Sequence, residues 1–270
     1  MERPKLRAIY WRHNRDVMNF GDYLTEVLLN DLGYDFAAPG TPNNKIANPG
    51  EILMAVGSLI DHDWLGRKVK WPRVVWGCGA WGDGRLVQGH IDRIKRITLV
   101  RGPNTAKRLN FDGPQGDPSL LLPLFHPIEQ RHNTVVYVPH WHNIRSAKKL
   151  ADTLGVEWSS IGCRKEDWET KLHEIVEPEF VLTNAMHAAI VRTAYGRPWA
   201  FYLGGCKWDK PGKWYDWFAW LGTPLCRVES VEEGLQWWDD HLSSFSFNSH
   251  AILGSFPYPL LSERAKQLNS

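Results

Sequence analysis

Charge of one sign is scarce in this sequence. Its 32 Lys and Arg and 30 Asp and Glu leave a formal net charge of +2, and the cations are scattered. That balance excludes the concentrated basic face from which a nucleic-acid binder draws its affinity. Cysteine is scarce too. Cys78, Cys163, Cys206 and Cys226 are far apart, with no C-x-x-C and no His pattern that would complete a zinc site. Four such residues read as reduced thiols, so neither a disulfide framework nor a resident metal is expected. No apolar run approaches the roughly 18 residues needed to span a bilayer, and no apolar leader follows Met1. The expectation is a cytoplasmic protein with possible peripheral contact at the inner membrane. Internal repeats and low-complexity stretches are also missing, which excludes solenoids and flexible tethers.

What the sequence does have is tryptophan, 15 residues of it, within a hydrophobic fraction of 43%. Trp is large and rarely buried whole, so core packing alone does not call for so many. Its ring face suits sugars, and its amphipathic ring suits membrane interfaces. One dense cluster, from Lys213 to Leu221, places Trp214, Trp217, Phe218 and Leu221 on one face at helical spacing. That stripe either packs inward or, beside Lys207, Lys210 and Lys213, forms an interfacial edge.

Short apolar runs alternate with amphipathic segments of helical length. Strands are expected at residues 6–11, 51–56, 73–76, 97–100, 134–138, 156–161, 180–182 and 198–203. Helices are expected at 22–32, 103–109, 143–154, 165–176, 185–195 and 231–242, with a short one at 260–268. Such alternation builds parallel sheets with right-handed crossovers. Residues 120–133, with Pro123, Pro127 and a polar stretch, read as a linker. The fold class expected is therefore α/β, with two Rossmann-like domains, 1–130 and 131–270, facing across a cleft lined by strand C-terminal ends.

The chemistry-bearing residues lie at those strand ends. Asp22 is either a helix N-cap or a carboxylate aimed at the cleft, and Gly21 allows the turn before it. Gly57-Ser58 and Gly77-Cys78-Gly79 either turn the chain or let backbone approach a ligand. Arg101 can pair bidentately with a carboxylate or phosphate, or form a surface ion pair. Asp117, held extended by Pro118, is either a turn former or a site residue. His140 and Trp141 end a strand and either face the cleft or form a solvent-exposed turn. Asn184 is a natural N-cap for the helix through Ala185, Met186 and His187; His187 is either a satisfied core histidine or an imidazole beside the anion site that the helix N-terminus makes.

Taken in order, Asn19-x-Gly21-Asp22, Val56-Gly57-Ser58, Val75-Trp76-Gly77-x-Gly79, Val100-Arg101-Gly102-Pro103, Gly116-Asp117-Pro118, Val138-Pro139-His140 and Met186-His187-Ala188-x-Ile190 resemble the polysaccharide pyruvyl transferase family. The resemblance extends to Ala194-Tyr195-Gly196-x-Pro198 and Phe256-Pro257-Tyr258. It is nearest to the bacterial ketal transferases that decorate xanthan and succinoglycan. It implies a fold like the GT-B glycosyltransferase architecture, with an acceptor-side first half and a donor-side second half. It implies phosphoenolpyruvate as donor, a lipid-linked oligosaccharide or polysaccharide as acceptor, a pyruvate ketal as product, and no further cofactor. His187 and Asp22 are then the catalytic acid and base. Donor contacts fall to Arg101, His140, Asn184, Ala185 and Met186, and acceptor contacts to Asn19, Gly21, Trp81, Asp117 and Trp141.

One position departs from the family pattern. Relatives often carry Arg two residues before the motif histidine, and Ala185 stands there. Another cation has to meet the donor, with Arg101, Arg192 and Lys207 as candidates. Two further readings are a glycosyltransferase using a nucleotide sugar, since fold does not fix function, and a carbohydrate-binding protein without catalysis.

Overall fold

The computed structural model describes residues 3–11, 16–66, 70–81, 86–206 and 210–270. The fold is mixed α/β with two parallel sheets. Ile52 to Met54 and Val74 to Trp76 are buried throughout, as strands covered on both faces must be. The first sheet comprises Lys5–Ile9 (β1), Asp35–Ala37 (β2), Ile52–Met54 (β3), Arg73–Trp76 (β4) and Ile94–Leu99 (β5). Its order is β2-β1-β3-β4-β5, and every pair is parallel. The second comprises His132–Val138 (β6), Glu157–Trp158 (β7), Pro178–Thr183 (β8) and Trp199–Phe201 (β9), in the order β7-β6-β8-β9, again all parallel. In each sheet the winding reverses beside its first strand. A crevice opens at such a reversal, outside the strands' carboxyl ends.

The helices that frame these crevices start for legible reasons. Asn19 caps Phe20–Asp31 (α1), its side-chain oxygen accepting from the Gly21 N–H at 3.1 Å. Asp22, expected either as that cap or as a carboxylate aimed at the cleft, sits in the first turn. Gly33, at φ +95°, ends the helix where a side chain would be strained. Pro103 opens Pro103–Leu109 (α2) at a position that needs no N–H. Met186–Ala194 (α3) begins at Ala185 with no side-chain cap. Asn184, expected as its cap, ties two strand ends together instead: its oxygen accepts from the His140 N–H and its amide donates to the Tyr137 hydroxyl at 3.0 Å. The helix Pro211–Trp220 (α4) lies against α2.

One apolar cluster runs through both sheets, α1 and α3, and a smaller one covers the other face of the first sheet. Met18–Asn19 pairs antiparallel with Gly162–Cys163, and the Phe20 N–H donates to the Ile161 carbonyl at 2.9 Å. Leu120, Leu121 and Leu122, read as the start of a linker, are fully buried in the shared core. The C-terminal segment returns to the first sheet: Trp76 Nε1 donates to Ser255 Oγ at 3.1 Å, and the Tyr34 hydroxyl to the Pro259 carbonyl at 2.7 Å.

The tryptophan stripe faces inward. Trp214, Trp217, Phe218 and Leu221 are all buried, and Trp214 stacks on Phe201 with ring centroids 4.2 Å apart. Trp214 and Trp217 therefore form no interfacial edge, because burying their rings against the second sheet removes far more apolar surface from water than an exposed turn could. Among the described residues, no helix is long and apolar enough to cross a membrane.

Candidate active site

Both crevices open into one cavity of about 200 Å³. Trp11 enters it after β1, Gly57 and Ser58 after β3, His140 and Trp141 after β6, and Ala185, Met186 and His187 after β8. Asn19 and Asp22 line it from the start of α1, and Lys213 from α4. Trp64 and Trp81 complete a wall of aromatic faces. Trp11 and Trp141 meet edge to face at 6.4 Å, and Lys210 Nζ lies 3.4 Å over the Trp81 ring. The structure thus brings together Asn19, Asp22, Trp81, His140, Trp141, Ala185, Met186 and His187 of the residues singled out in the sequence.

The ionisable groups are perturbed in opposite senses. Burial lifts the Asp22 carboxyl to about 7, against an opposing pull from Lys213. Burial, then Arg101 and Lys213, push the His187 imidazole down to about 3. Burial, then Lys213, His142 and His187, push His140 down to about 2. The site therefore holds neutral imidazoles and a carboxyl that exchanges its proton near neutral pH. Titratable groups set apart this way in one cleft are the material of general acid–base chemistry.

Gly21 has a specific reason to be glycine. A Cβ there would lie 1.9 Å from His187 Nδ1, so the bare backbone of α1 is what admits the imidazole. Gly21 is a floor for His187, beside the cavity lining.

Lys213 was overlooked as a site residue. It is only 7% exposed, lines the cavity and lies with Nζ 3.3 Å from His140 Nε2. The sequence grouped it with the aromatic stripe as a surface cation. The stripe faces inward, and Lys213, the residue before Trp214, is carried to the cleft with it. No local motif marks this.

Other assignments are corrected by burial. Arg101 is wholly buried and does not line the cavity. It donates through Nη1 to Ser58 Oγ at 2.7 Å, through Nη2 to the Ala80 carbonyl at 2.9 Å, and through Nε to Asp216 at 3.2 Å. It supports Ser58 from behind. Arg192, also wholly buried, donates to the carbonyls of Ile175, Val176, Pro178, Glu179 and Pro198, and is an internal brace. Lys207 lies outside the described residues. Asp117 is wholly buried as well, and its Oδ1 accepts from the Ser119 N–H at 2.9 Å, so it offers no surface to a sugar. Asn184, 4% exposed, holds the loop ends rather than lining the cavity.

No protein-family model matches this chain. The chain is similar to the succinoglycan biosynthesis protein ExoV of Rhizobium meliloti (strain 1021), with 26% identity over 248 residues that cover 86% of this chain and 73% of ExoV. The similarity to a succinoglycan protein read from the ordered motifs thus holds over most of the chain. Among solved structures it is similar to the protein KP1_0663 of Klebsiella pneumoniae subsp. pneumoniae NTUH-K2044, with 16% identity, a TM-score of 0.48, and coverage of 83% of this chain and 93% of that one.

Proposed function

We propose that this protein transfers the pyruvyl group of phosphoenolpyruvate to two hydroxyls of one sugar in an exopolysaccharide repeat unit, forming a ketal and releasing phosphate. The observation that carries this reading is the shared cavity, where Asp22, His140, His187 and Lys213 converge below a wall of Trp rings. The similarity to ExoV supports a place in exopolysaccharide assembly. The two sheets are read as the Rossmann-like halves of a GT-B-like arrangement, with acceptor on the first half and donor on the second.

The donor is a compact anion bearing a carboxylate and a phosphate. Lys213 supplies a cation, and the α3 N-terminus supplies the positive end of a helix dipole. Ser58, backed by Arg101, offers a polar contact, and His140 a further one. The bound donor anion favours the protonated His187 ring, and this imidazolium gives its proton to the methylene carbon, which becomes a methyl group and leaves the central carbon electrophilic. Asp22 accepts the proton of the attacking sugar hydroxyl. Departure of phosphate and attack by the second hydroxyl close the ketal, and the second hydroxyl proton leaves with phosphate. A carboxyl near 7 suits that task, because it takes up and returns a proton at the working pH. The Trp faces hold the sugar ring by stacking. The acceptor is then a lipid-linked oligosaccharide or polysaccharide at the cytoplasmic face of the inner membrane.

The test is to incubate the protein with phosphoenolpyruvate and acceptor glycan, follow phosphate, and weigh the glycan by mass spectrometry. Phosphate release with a glycan heavier by one pyruvate ketal is expected. Nucleotide release from a nucleotide sugar would replace this reading with glycosyl transfer, and glycan binding without either product would leave a binding protein.

A further inference from the structure

Two buried polar atoms face each other without a hydrogen bond: His187 Nε2 and Asp117 Oδ2, 4.0 Å apart. Burying polar atoms without a partner is unfavourable, so the arrangement is not neutral packing. A movement of about one ångström would close the gap, and catalytic hydrogen bonds are often this long before substrate binds.

The two side chains are held from opposite directions. Asp117, with its Oδ1 engaged by the Ser119 N–H, caps the turn Pro118–Leu121, which packs against α3. His187 projects from the first turn of α3, with Nδ1 over the bare backbone of Gly21, next to Asp22. The imidazole is therefore sandwiched, with Nδ1 toward α1 and Nε2 toward Asp117.

We infer that Asp117 is the positioning residue of His187: it accepts a hydrogen bond from Nε2–H and so leaves Nδ1 as the nitrogen that exchanges a proton with the reacting molecule. The inference rests on the proposed transfer for the identity of that molecule, though not for the geometry. A neutral imidazole carries one N–H, and the partner of one nitrogen decides the role of the other. With Nε2–H directed at Asp117, Nδ1 is free to take a proton. When it does, the buried carboxylate stabilises the imidazolium without itself becoming protonated. Of the charges around the ring, Arg101, Lys213 and any charge on His140 oppose the imidazolium. Asp117, Asp22 when ionised, and an arriving anion favour it. Burial holds His187 near 3, and the carboxylate behind it is what makes a charged ring attainable once the donor is bound.

Asp117→Asn tests this sharply, because the Ser119 N–H dictates how the amide sits. The Asn carbonyl oxygen keeps the Ser119 bond, so its NH2 takes the place of Oδ2 and points a donor at Nε2. The ring must then carry its proton on Nδ1, the wrong tautomer. Histidine-labelled protein is examined by 15N NMR without substrate, with His187→Gln identifying the resonance. The wild type is expected to show Nε2–H and Asp117→Asn to show Nδ1–H. Turnover in Asp117→Asn is expected to fall about 10²–10⁴-fold, with donor KM and melting temperature little changed. An Nδ1–H ring in the wild type overturns the inference, and so does an unchanged ring in a folded Asp117→Asn. Since the tautomer is read without turnover, failure of pyruvyl transfer and failure of this pairing are separate results.

Discussion

Arg101 and Asp216 form a buried ion pair across the molecule, with Nη2 3.2 Å from Oδ2 and neither side chain more than 1% exposed. Asp216 also accepts from the Thr105 N–H at 2.9 Å and the Thr105 hydroxyl at 2.7 Å. The pair fastens the loop after β5 and the start of α2 to α4, the helix that carries Lys213 one turn earlier. Gly79 makes room for it, since a Cβ there would stand 2.2 Å from Arg101 Cζ. The arginine expected to clamp the donor is instead a strut that supports Ser58 and α4.

A strut and a clamp fail differently. Removing one member of a buried pair leaves an uncompensated charge and costs about 3–5 kcal/mol. Arg101→Ala should therefore lower the denaturation midpoint in urea sharply, and Asp216→Ala should do the same. Activity should fall with the folded fraction. A stable Arg101→Ala protein that folds normally but no longer uses the donor would restore Arg101 as a donor ligand.

Asp22 should make stability fall as pH rises. Its folded-state value, near 7, lies above its ordinary value of 3.8, so the native state holds a proton that the unfolded chain has lost. The contribution is fully present below pH 3.8, declines between about 4 and 7, and is gone above 7. Asp117 acts in the same direction, being raised to about 6. Asp22→Asn removes the ionising group, so the variant should be more stable than the wild type at pH 8, by a few kcal/mol on the order expected for such a difference, and nearly equal to it at pH 4. It should also be inactive. Denaturation curves at both pH values check this, and a constant difference between the two proteins would show that Asp22 is not raised.

The sheets were legible because strands buried on both faces leave continuous apolar runs, as at Val74–Val75. β2 was not, since Asp35–Ala37 is a three-residue edge strand with no run to see. Asn19 and Asp22 are both good capping types three residues apart, and only the geometry of the turn chooses between them. Asp22, His140 and His187 could be found from position alone, because each lies just beyond a strand or at the first turn of a helix. The Arg101–Asp216 pair spans 115 residues of sequence, and local patterning carries no signal for it. Arg192 was misjudged for a related reason: an arginine that serves carbonyl groups leaves no acidic partner to notice.

Lys213 should be the cation that replaces the arginine missing at position 185. It is the lysine of α4 that faces the cavity, and it depresses His140 and His187 and opposes the rise of Asp22, which places its charge at the centre of the site. A hydrogen bond to a charged group is worth about 1.5–3 kcal/mol, so Lys213→Met should raise donor KM about 10- to 100-fold. Met keeps the length and apolar stem of the side chain, so α4 and the Asp216 strut should remain in place. Phosphoenolpyruvate raises the melting temperature by mass action if it binds the folded state. That rise should appear in the wild type and vanish in Lys213→Met at the same concentration. Lys213→Arg should retain part of it, because the charge survives while its shape changes. The melting temperatures without ligand should differ little among the three proteins. Equal ligand-induced rises in the wild type and Lys213→Met would remove Lys213 from the donor site.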